Sequence, residues 1–265
     1  MRVDVSAAAL AAGFSNDPAG THTSRTIMLG ELRSLLVATR GDATYDDYVN
    51  SIVGDNALGK ATSSTRQKSL RHLRELYALR STVPAFAGLR ALWSAEESAQ
   101  ALLAMLCSVA RDPLLRSTAA VILDAAPGMS LAAPDFAEAV GHSFPGRFTP
   151  GVLARIGRNV ASSWTQSGHL RGRARKIRAH AIASPVAVAY ALYLGHLGDE
   201  SGNRLFATLW ARLLDASESD VRALAQRASR MGWVGYRASA GMTEVTFRHL
   251  DSLACVPGLG AANEC

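Results

Sequence analysis

Apolar residues recur along most of the chain at the three- and four-residue spacing of an α-helix. This spacing predicts helices over about 29–36, 64–80 and 94–110. Ser94, with Glu97 three residues later, has the pattern of a capping box and predicts the start of the third helix.

Proline placement predicts where the next helices begin. Asp112 precedes Pro113, a pairing typical of an N-cap and a first helical position, so a helix is expected from there to about Asp124. Residues 127–133 are predicted to be a loop, followed by a short helix at 134–140.

The pattern is clearest between Thr149 and Gly168, where Pro150 predicts the first turn of a helix and glycine its end. Four apolar side chains at four-residue spacing predict a buried stripe: Val152, Ile156, Val160 and Trp164. Polar side chains fall on the opposite side: Arg155, Arg158, Asn159, Ser162 and Gln166. The helix therefore presents an acid-free polar face.

Basic residues alternate with small or apolar ones over 169–178, which predicts a short hairpin. The same order of elements is expected again further on, with helices near 185–196, 202–214 and 218–231 and strands near 233–237 and 243–248. Trp233 is expected either to pack against the last of these helices or to stack on a partner.

Three helices and a hairpin form a winged helix-turn-helix. The predicted fold class is therefore mainly α, with winged helix-turn-helix-like units and short β-hairpin wings. Four regions are expected: an N-terminal helical region at 1–92, a basic winged-helix-like domain at 93–183, a second such domain at 184–254 and a disordered tail at 255–265.

Composition narrows the class of protein. Apolar residues form 48% of the 265-residue chain, enough for a core. The three cysteines cannot build a disulfide framework and form no CxxC pair, which favours a reducing, cytoplasmic location. The longest apolar run, Val186 to Leu194, is too short to span a bilayer.

Charge is unevenly distributed within a net charge of +6. No aspartate or glutamate occurs between Glu138 and Asp199, and the only acidic residue in 56–90 is Glu75. Because acid-depleted segments suit a polyanion, double-stranded DNA is the expected partner. The candidate DNA-binding residues are Lys60, Arg66, Lys68, Arg71, Arg74, Arg155, Arg158, Asn159, Ser162, Arg171, Arg173, Arg175, Lys176 and Arg178.

Other interpretations of the basic segments stay open. They can be a solvated face, or a surface that docks an acidic subunit in a protein–protein adaptor. A winged-helix transcriptional regulator is a third possibility, and it predicts a dimer on a two-fold operator, although no dimerisation heptad is visible.

The segment Gly54 to Lys60 satisfies the G-x-x-x-x-G-K pattern of a phosphate-binding loop. Ala61 stands where a nucleotide site needs a hydroxyl for magnesium, and the chain has no alternating strand–helix series. No H-E-x-x-H, G-x-S-x-G or paired-carboxylate motif occurs. We therefore expect no enzyme activity, metal or cofactor.

Three short motifs resemble the BrxA family of BREX phage-defence systems. They are Asn56-Ala57-Leu58-Gly59-Lys60 before a Ser/Arg-rich helix start, Arg111-Asp112-Pro113-Leu114-Leu115-Arg116, and Trp164 with Ser167-Gly168-His169-Leu170. The resemblance spans about 10–250. It implies a helical, winged-helix accessory protein that binds double-stranded DNA beside a methyltransferase, an ATPase and a phosphatase-like protein. The resemblance also leaves RNA binding open, since the family's fold has been compared with an RNA-binding antiterminator.

Overall fold

The computed structural model describes residues 5–18, 20–173, 175–239 and 242–254, so the predicted tail at 255–265 lies outside the described residues. Within these ranges the chain is mainly helical, with two small antiparallel sheets. The helices of the N-terminal part are α1 (Ala7–Ala11), α2 (Leu29–Ala38), α3 (Tyr45–Val49), α4 (Ser63–Tyr77) and α5 (Pro84–Leu92).

The middle of the chain combines helices with the first sheet. Its elements are α6 (Gln100–Arg111), α7 (Pro113–Arg116), α8 (Ala119–Asp124), β1 (Ser130–Leu131), α9 (Ala133–Ser143), α10 (Pro150–Gln166), β2 (Leu170–Arg171) and β3 (Lys176–Arg178). The strand order is β1-β3-β2, with both pairs antiparallel. The predicted hairpin is confirmed, whereas β1 lies inside a predicted loop.

The last part is built in a similar order. Its elements are α11 (Pro185–Leu197), α12 (Leu209–Arg212), α13 (Glu218–Arg230), β4 (Gly235–Ser239), β5 (Met242–Thr246) and α14 (Arg248–Ala254). β4 and β5 form a two-stranded antiparallel ribbon, as the sequence predicts.

Three predicted helices differ from the structure. The helix expected near 202–214 is a 3-10 turn at Gly202–Ala207 followed by the four-residue α12. α6 begins at Gln100 after a 3-10 turn at Glu97–Ala99, because Glu96 is extended and prevents a helix from starting at Ser94. The helix expected from Pro113 to Asp124 is divided into α7 and α8. Ser117 and Thr118 divide it, because their hydroxyls donate to the carbonyls three residues earlier.

The core surrounds α11, whose residues from Pro185 to Gly195 are all buried. A helix that is apolar on every side needs neighbours on every side, and α11 contacts α5, α6, α12 and α13. Gly88 allows the close approach of α5, since a Cβ there would lie 2.8 Å from the Tyr193 ring. No helix in the described ranges is long and apolar enough to cross a membrane.

Candidate nucleic-acid interface

The β2–β3 hairpin carries exposed cations at its turn. Gly172 has a φ of +96°, and a Cβ at this position would lie 2.3 Å from the Arg175 carbonyl oxygen, so the turn requires glycine. Arg171, Arg173 and Arg175 are exposed, and Lys176 is half-buried. The tight turn therefore gathers four of the predicted phosphate-binding side chains on one short hairpin.

Two of these side chains are held by neutral partners. Arg175 Nε donates to Ser130 Oγ of β1 at 3.0 Å, and Lys176 Nζ donates to the Gly172 carbonyl at 3.1 Å. Partial burial lowers the pKa of Lys176. None of the four forms an ion pair with a carboxylate of the described residues, so their charge remains available to an anion.

α10 supports the hairpin and exposes two further arginines. Ile156, Val160 and Trp164 are buried, so most of the predicted stripe is confirmed, although Val152 is only half-buried. Arg155 and Arg158 are exposed and Ser162 is half-buried. Because they are three and four residues apart, the side chains of Arg155, Arg158 and Ser162 lie along one stripe of the helix.

Asn159 is not free for contact with a base, contrary to the sequence prediction. Its Nδ2 donates to the carbonyl of His22 at 3.0 Å. Two turns further on, Gln166 Oε1 accepts from the backbone N–H of Leu29 at 3.3 Å. The second half of the polar face therefore binds the N-terminal segment, and only the first half faces outward.

The prediction that Arg178 contacts phosphate is wrong, because its side chain is buried in an ion pair. It is 4% exposed and forms a bidentate pair with Asp215, with Nη2 2.6 Å from Oδ1 and Nη1 2.7 Å from Oδ2. Burial would raise the pKa of Asp215, but hydrogen bonds and charge from Arg178 bring it below its ordinary value. Arg178 thus joins β3 to the loop after α12 and cannot grip a phosphate.

The second predicted basic surface, at 56–90, is partly engaged in internal contacts. Lys60 Nζ lies 3.0 Å from Glu31 Oε1, and Arg66 donates to the Val53 carbonyl at 3.1 Å. Arg71 Nε lies 3.7 Å from a Glu75 oxygen. Lys68, Arg74 and Arg80 are exposed and form no ion pair with a described carboxylate. Two of the five candidate side chains in this segment, Lys68 and Arg74, are therefore exposed and without an ion pair, as an anion-binding surface requires.

The G-x-x-x-x-G-K segment follows a helix and not a strand. α3 leads into a π-helical turn at Asn50–Gly54, and Asn56 and Gly59 then have positive φ angles. Lys60 is directed to Glu31 and its backbone N–H donates to Asn56 Oδ1 at 2.8 Å. The motif is a turn between helices, which leaves its lysine committed to a carboxylate.

A buried polar cluster that sequence reasoning missed lies behind α10. His22 Nδ1 is 2.7 Å from Asp112 Oδ2, and His22 Nε2 is 2.8 Å from Ser163 Oγ. The connectivity is that of a hydrolase triad, but Ser163 is completely buried and also accepts from the Ile27 N–H. The cluster therefore ties the N-terminal segment to α7 and α10 and offers no entry to a substrate.

Asp112 remains a carboxylate despite its burial. Burial alone would raise its pKa, but charge and hydrogen bonds from His22 and the Leu114 N–H lower the pKa below the ordinary value. The Asp112 side chain also fills the space beside Gly20, where a Cβ would lie 2.3 Å from Oδ1. Asp112 is thus both the predicted N-cap of α7 and an anchor for the residues before α2.

His169, the first residue of the basic segment 169–178, lies in the core. Its ring packs edge-on against Trp164, with centroids 5.0 Å apart, and Nε2 donates to the Leu213 carbonyl at 2.9 Å. Burial lowers its pKa to about 4. His169 therefore stays neutral near pH 7 and links β2 to the end of α12.

Exposed cations of the C-terminal part were absent from the sequence prediction. Arg227 and Arg230 are exposed on α13, Arg237 on β4 and Arg248 at the start of α14. None of them pairs with a described carboxylate. The sequence prediction selected acid-free segments, and it missed these arginines because acidic residues such as Glu218 are interspersed among them.

Comparison with known proteins leaves the class open. No family model matches the chain, and no curated protein matches it. The resemblance to the BrxA family therefore rests on the short motifs alone, and a function has to be argued from the geometry of the site.

Proposed function

We propose that this chain is a non-enzymatic accessory protein that binds double-stranded DNA, mainly through phosphates, in a BREX-type anti-phage defence system. The observation that supports it most is a set of cations on α10 and the β2–β3 hairpin that form no ion pair with a described carboxylate: the exposed Arg155, Arg158, Arg171, Arg173 and Arg175 and the half-buried Lys176. Each phosphate that such a side chain neutralises releases condensed counterions.

The order of elements favours a winged helix-turn-helix for this segment. α8, β1, α9, α10 and the hairpin follow one another as three helices with a strand after the first and a wing at the end, and the sheet order β1-β3-β2 fits that arrangement. In helix-turn-helix proteins the last helix enters the major groove with its N-terminal residues. Arg155 and Arg158 lie in that half of α10.

Gly157 supports the required packing of the two helices. A Cβ at Gly157 would lie 2.3 Å from the Ala133 carbonyl oxygen and 3.0 Å from the Ala137 Cβ. The glycine therefore lets α10 cross α9 at close range while Arg155 and Arg158 stay exposed.

A salt-titrated duplex-binding assay tests this proposal. Reversing Arg173, Arg175 and Lys176 to glutamate should weaken binding to every duplex sequence and flatten the slope of log K against log salt by about 3. Reversal of three exposed arginines on other elements, Arg33, Arg40 and Arg204, serves as a charge-matched control. Unchanged affinity and slope in the hairpin variant would reject the interface.

The choice of nucleic acid and the defence role need separate measurements. Competition by RNA of equal length should be weaker than competition by duplex DNA. Removing the chain from a host that restricts phage should raise plating efficiency, and its affinity-purified form should retain the methyltransferase or ATPase that the resemblance implies. Normal restriction in the deletion strain would contradict the defence role.

One observation favours the adaptor as a second candidate function. An apolar groove of about 540 Å³ lies between α9 and α10, lined by Pro134, Ala137 and Leu153 and bordered by Arg158. A protein segment with apolar side chains and an acid would match this surface. The adaptor predicts weak, non-saturating duplex binding together with stable co-purification of one acidic protein.

A further inference from the structure

A cleft of about 340 Å³ opens at the base of the β4–β5 ribbon. One face of the ribbon forms a wall, because Gly235 pairs with Thr246 and Arg237 pairs with Glu244 on the same side of the sheet. The other face is occupied, since Tyr236 contacts the Phe206 ring.

Gly235 creates the hollow in this wall. A Cβ at position 235 would lie 2.3 Å from Thr246 Oγ1, so any side chain there would displace the threonine or fill the cleft. The opposite side is formed by the start of α14, with Arg248 and His249, and Trp233 lies at the end where α13 has just finished.

Two aromatic rings lie beside each other in the cleft. The Trp233 and His249 centroids are 5.7 Å apart at an interplanar angle of 50°. Trp233 is half-buried and His249 exposed, in contrast to Trp93, Trp164 and Trp210, which are buried. A half-buried tryptophan that lines an open cleft is a side chain on which a planar ligand can stack.

Two cations flank these rings without a carboxylate partner. Arg237 and Arg248 are exposed and line the cleft, and no described carboxylate forms an ion pair with either of them. Glu244 and Thr246 add an acceptor and a hydroxyl to the same lining. The two rings can stack on a base, and Glu244 and Thr246 can form hydrogen bonds with its exocyclic groups. The two arginines can bind the adjoining phosphates.

We propose that this cleft binds an unpaired nucleotide of a nucleic-acid strand, with the base on Trp233 and the flanking phosphates on Arg237 and Arg248. The volume of the cleft, about 340 Å³, favours an unpaired base over a duplex. It lies at the lower end of the roughly 300–1,000 Å³ of ligand pockets, which suits one nucleotide. A base within a duplex is already stacked and cannot present its face to the indole.

The proposal is independent of duplex binding by α10 and the β2–β3 hairpin. Single-strand binding by the cleft should persist in the variant with Arg173, Arg175 and Lys176 reversed, which is designed to lose duplex binding. Failure of one site can therefore be distinguished from failure of the other.

Tryptophan emission and a labelled strand test the cleft in the full chain. Titration with a short oligothymidylate should quench emission saturably, and Trp233→Phe should abolish the quenching while the thermal midpoint is kept. Anisotropy of the labelled oligothymidylate should show at least about fivefold weaker binding to Trp233→Ala, because base–aromatic stacking is lost.

The charge variants complete the test. Arg237→Ala with Arg248→Ala should weaken binding and lower its salt dependence, whereas Arg25→Ala with Arg33→Ala, which are exposed, form no ion pair with a described carboxylate and lie outside the cleft lining, should leave both unchanged. Quenching that survives in Trp233→Phe, equal loss in the control pair, or equal quenching by a blunt duplex would each overturn the proposal.

Discussion

Nδ1 of His22 and Oδ2 of Asp112 lie 2.7 Å apart in a place where neither side chain has appreciable exposed surface. The two residues are ninety positions apart. Because the carboxylate can only accept, His22 Nδ1 donates the proton of this bond. The pair therefore fastens the N-terminal segment to the start of α7.

Asp112→Asn should lower the free energy of unfolding by about 2 to 4 kcal/mol, since an amide places its own donor opposite the His22 ring or leaves a weaker neutral acceptor. Urea unfolding followed by circular dichroism measures the change. Asp135→Asn is the matched control, because Asp135 also accepts a backbone N–H at the start of a helix but is exposed. Equal losses in the two variants would contradict a special role for the buried pair.

Arg178→Ala should lower the stability of the fold and leave the affinity for duplex DNA unchanged. Removing the guanidinium leaves the Asp215 carboxylate without its partner, which should lower the free energy of unfolding by about 3 to 5 kcal/mol. The folded variant should keep the wild-type salt slope for duplex DNA. Arg173→Ala is the matched control on the same hairpin and should show the reverse behaviour. A flatter salt slope for duplex binding by Arg178→Ala would show that Arg178 contacts phosphate and would contradict a purely structural role.

The outcome for Arg178 shows what the pattern of residues can and cannot predict. Alternation correctly predicted the hairpin, and Arg171 and Arg173 are exposed as expected. The register pairs Arg178 with Leu170, and paired residues share a face, so the buried leucine brings Arg178 inward with it. An apolar residue at position 170 indicates that its cross-strand partner is buried as well. The sequence alone did not specify the geometry of the turn, and the turn decides which residue is that partner.

Other features left no local signal. β1 has two residues, too few for any periodicity, and it is recognisable only through its pairing with β3. The α10 pattern correctly predicted a buried stripe, whereas the bonds from Asn159 and Gln166 to the N-terminal segment depend on tertiary contacts. Helix existence was thus predictable from local spacing, while the division of polar residues between interior and surface was not.

Gly157→Ala should lower the free energy of unfolding by about 1 to 3 kcal/mol, because the added methyl group cannot fit against the Ala133 carbonyl without moving α10 away from α9. Thermal unfolding measures the loss. Gly151→Ala on the same helix is the matched control, since a Cβ there meets nothing within 4 Å, and it should be neutral or slightly stabilising. Equal midpoints for the two variants would contradict the close helix crossing.

His169 should make the chain lose stability as the pH falls below neutrality. Burial lowers its pKa to about 4, whereas an unfolded histidine titrates near 6.5. Between these values the unfolded state binds more protons than the folded state, so the free energy of unfolding falls with falling pH and the loss is complete below the folded pKa. The contribution is about 3 kcal/mol.

Urea unfolding of the wild type and of His169→Gln at a series of pH values between 4 and 7 measures this contribution. His169→Gln should be less stable at pH 7, because it disturbs the contacts with Trp164 and Leu213, but its stability should fall less steeply with acid. His142→Gln, at an exposed position on α9, should keep the wild-type slope. Parallel pH profiles for the wild type and His169→Gln would show that the buried imidazole is not the group that titrates.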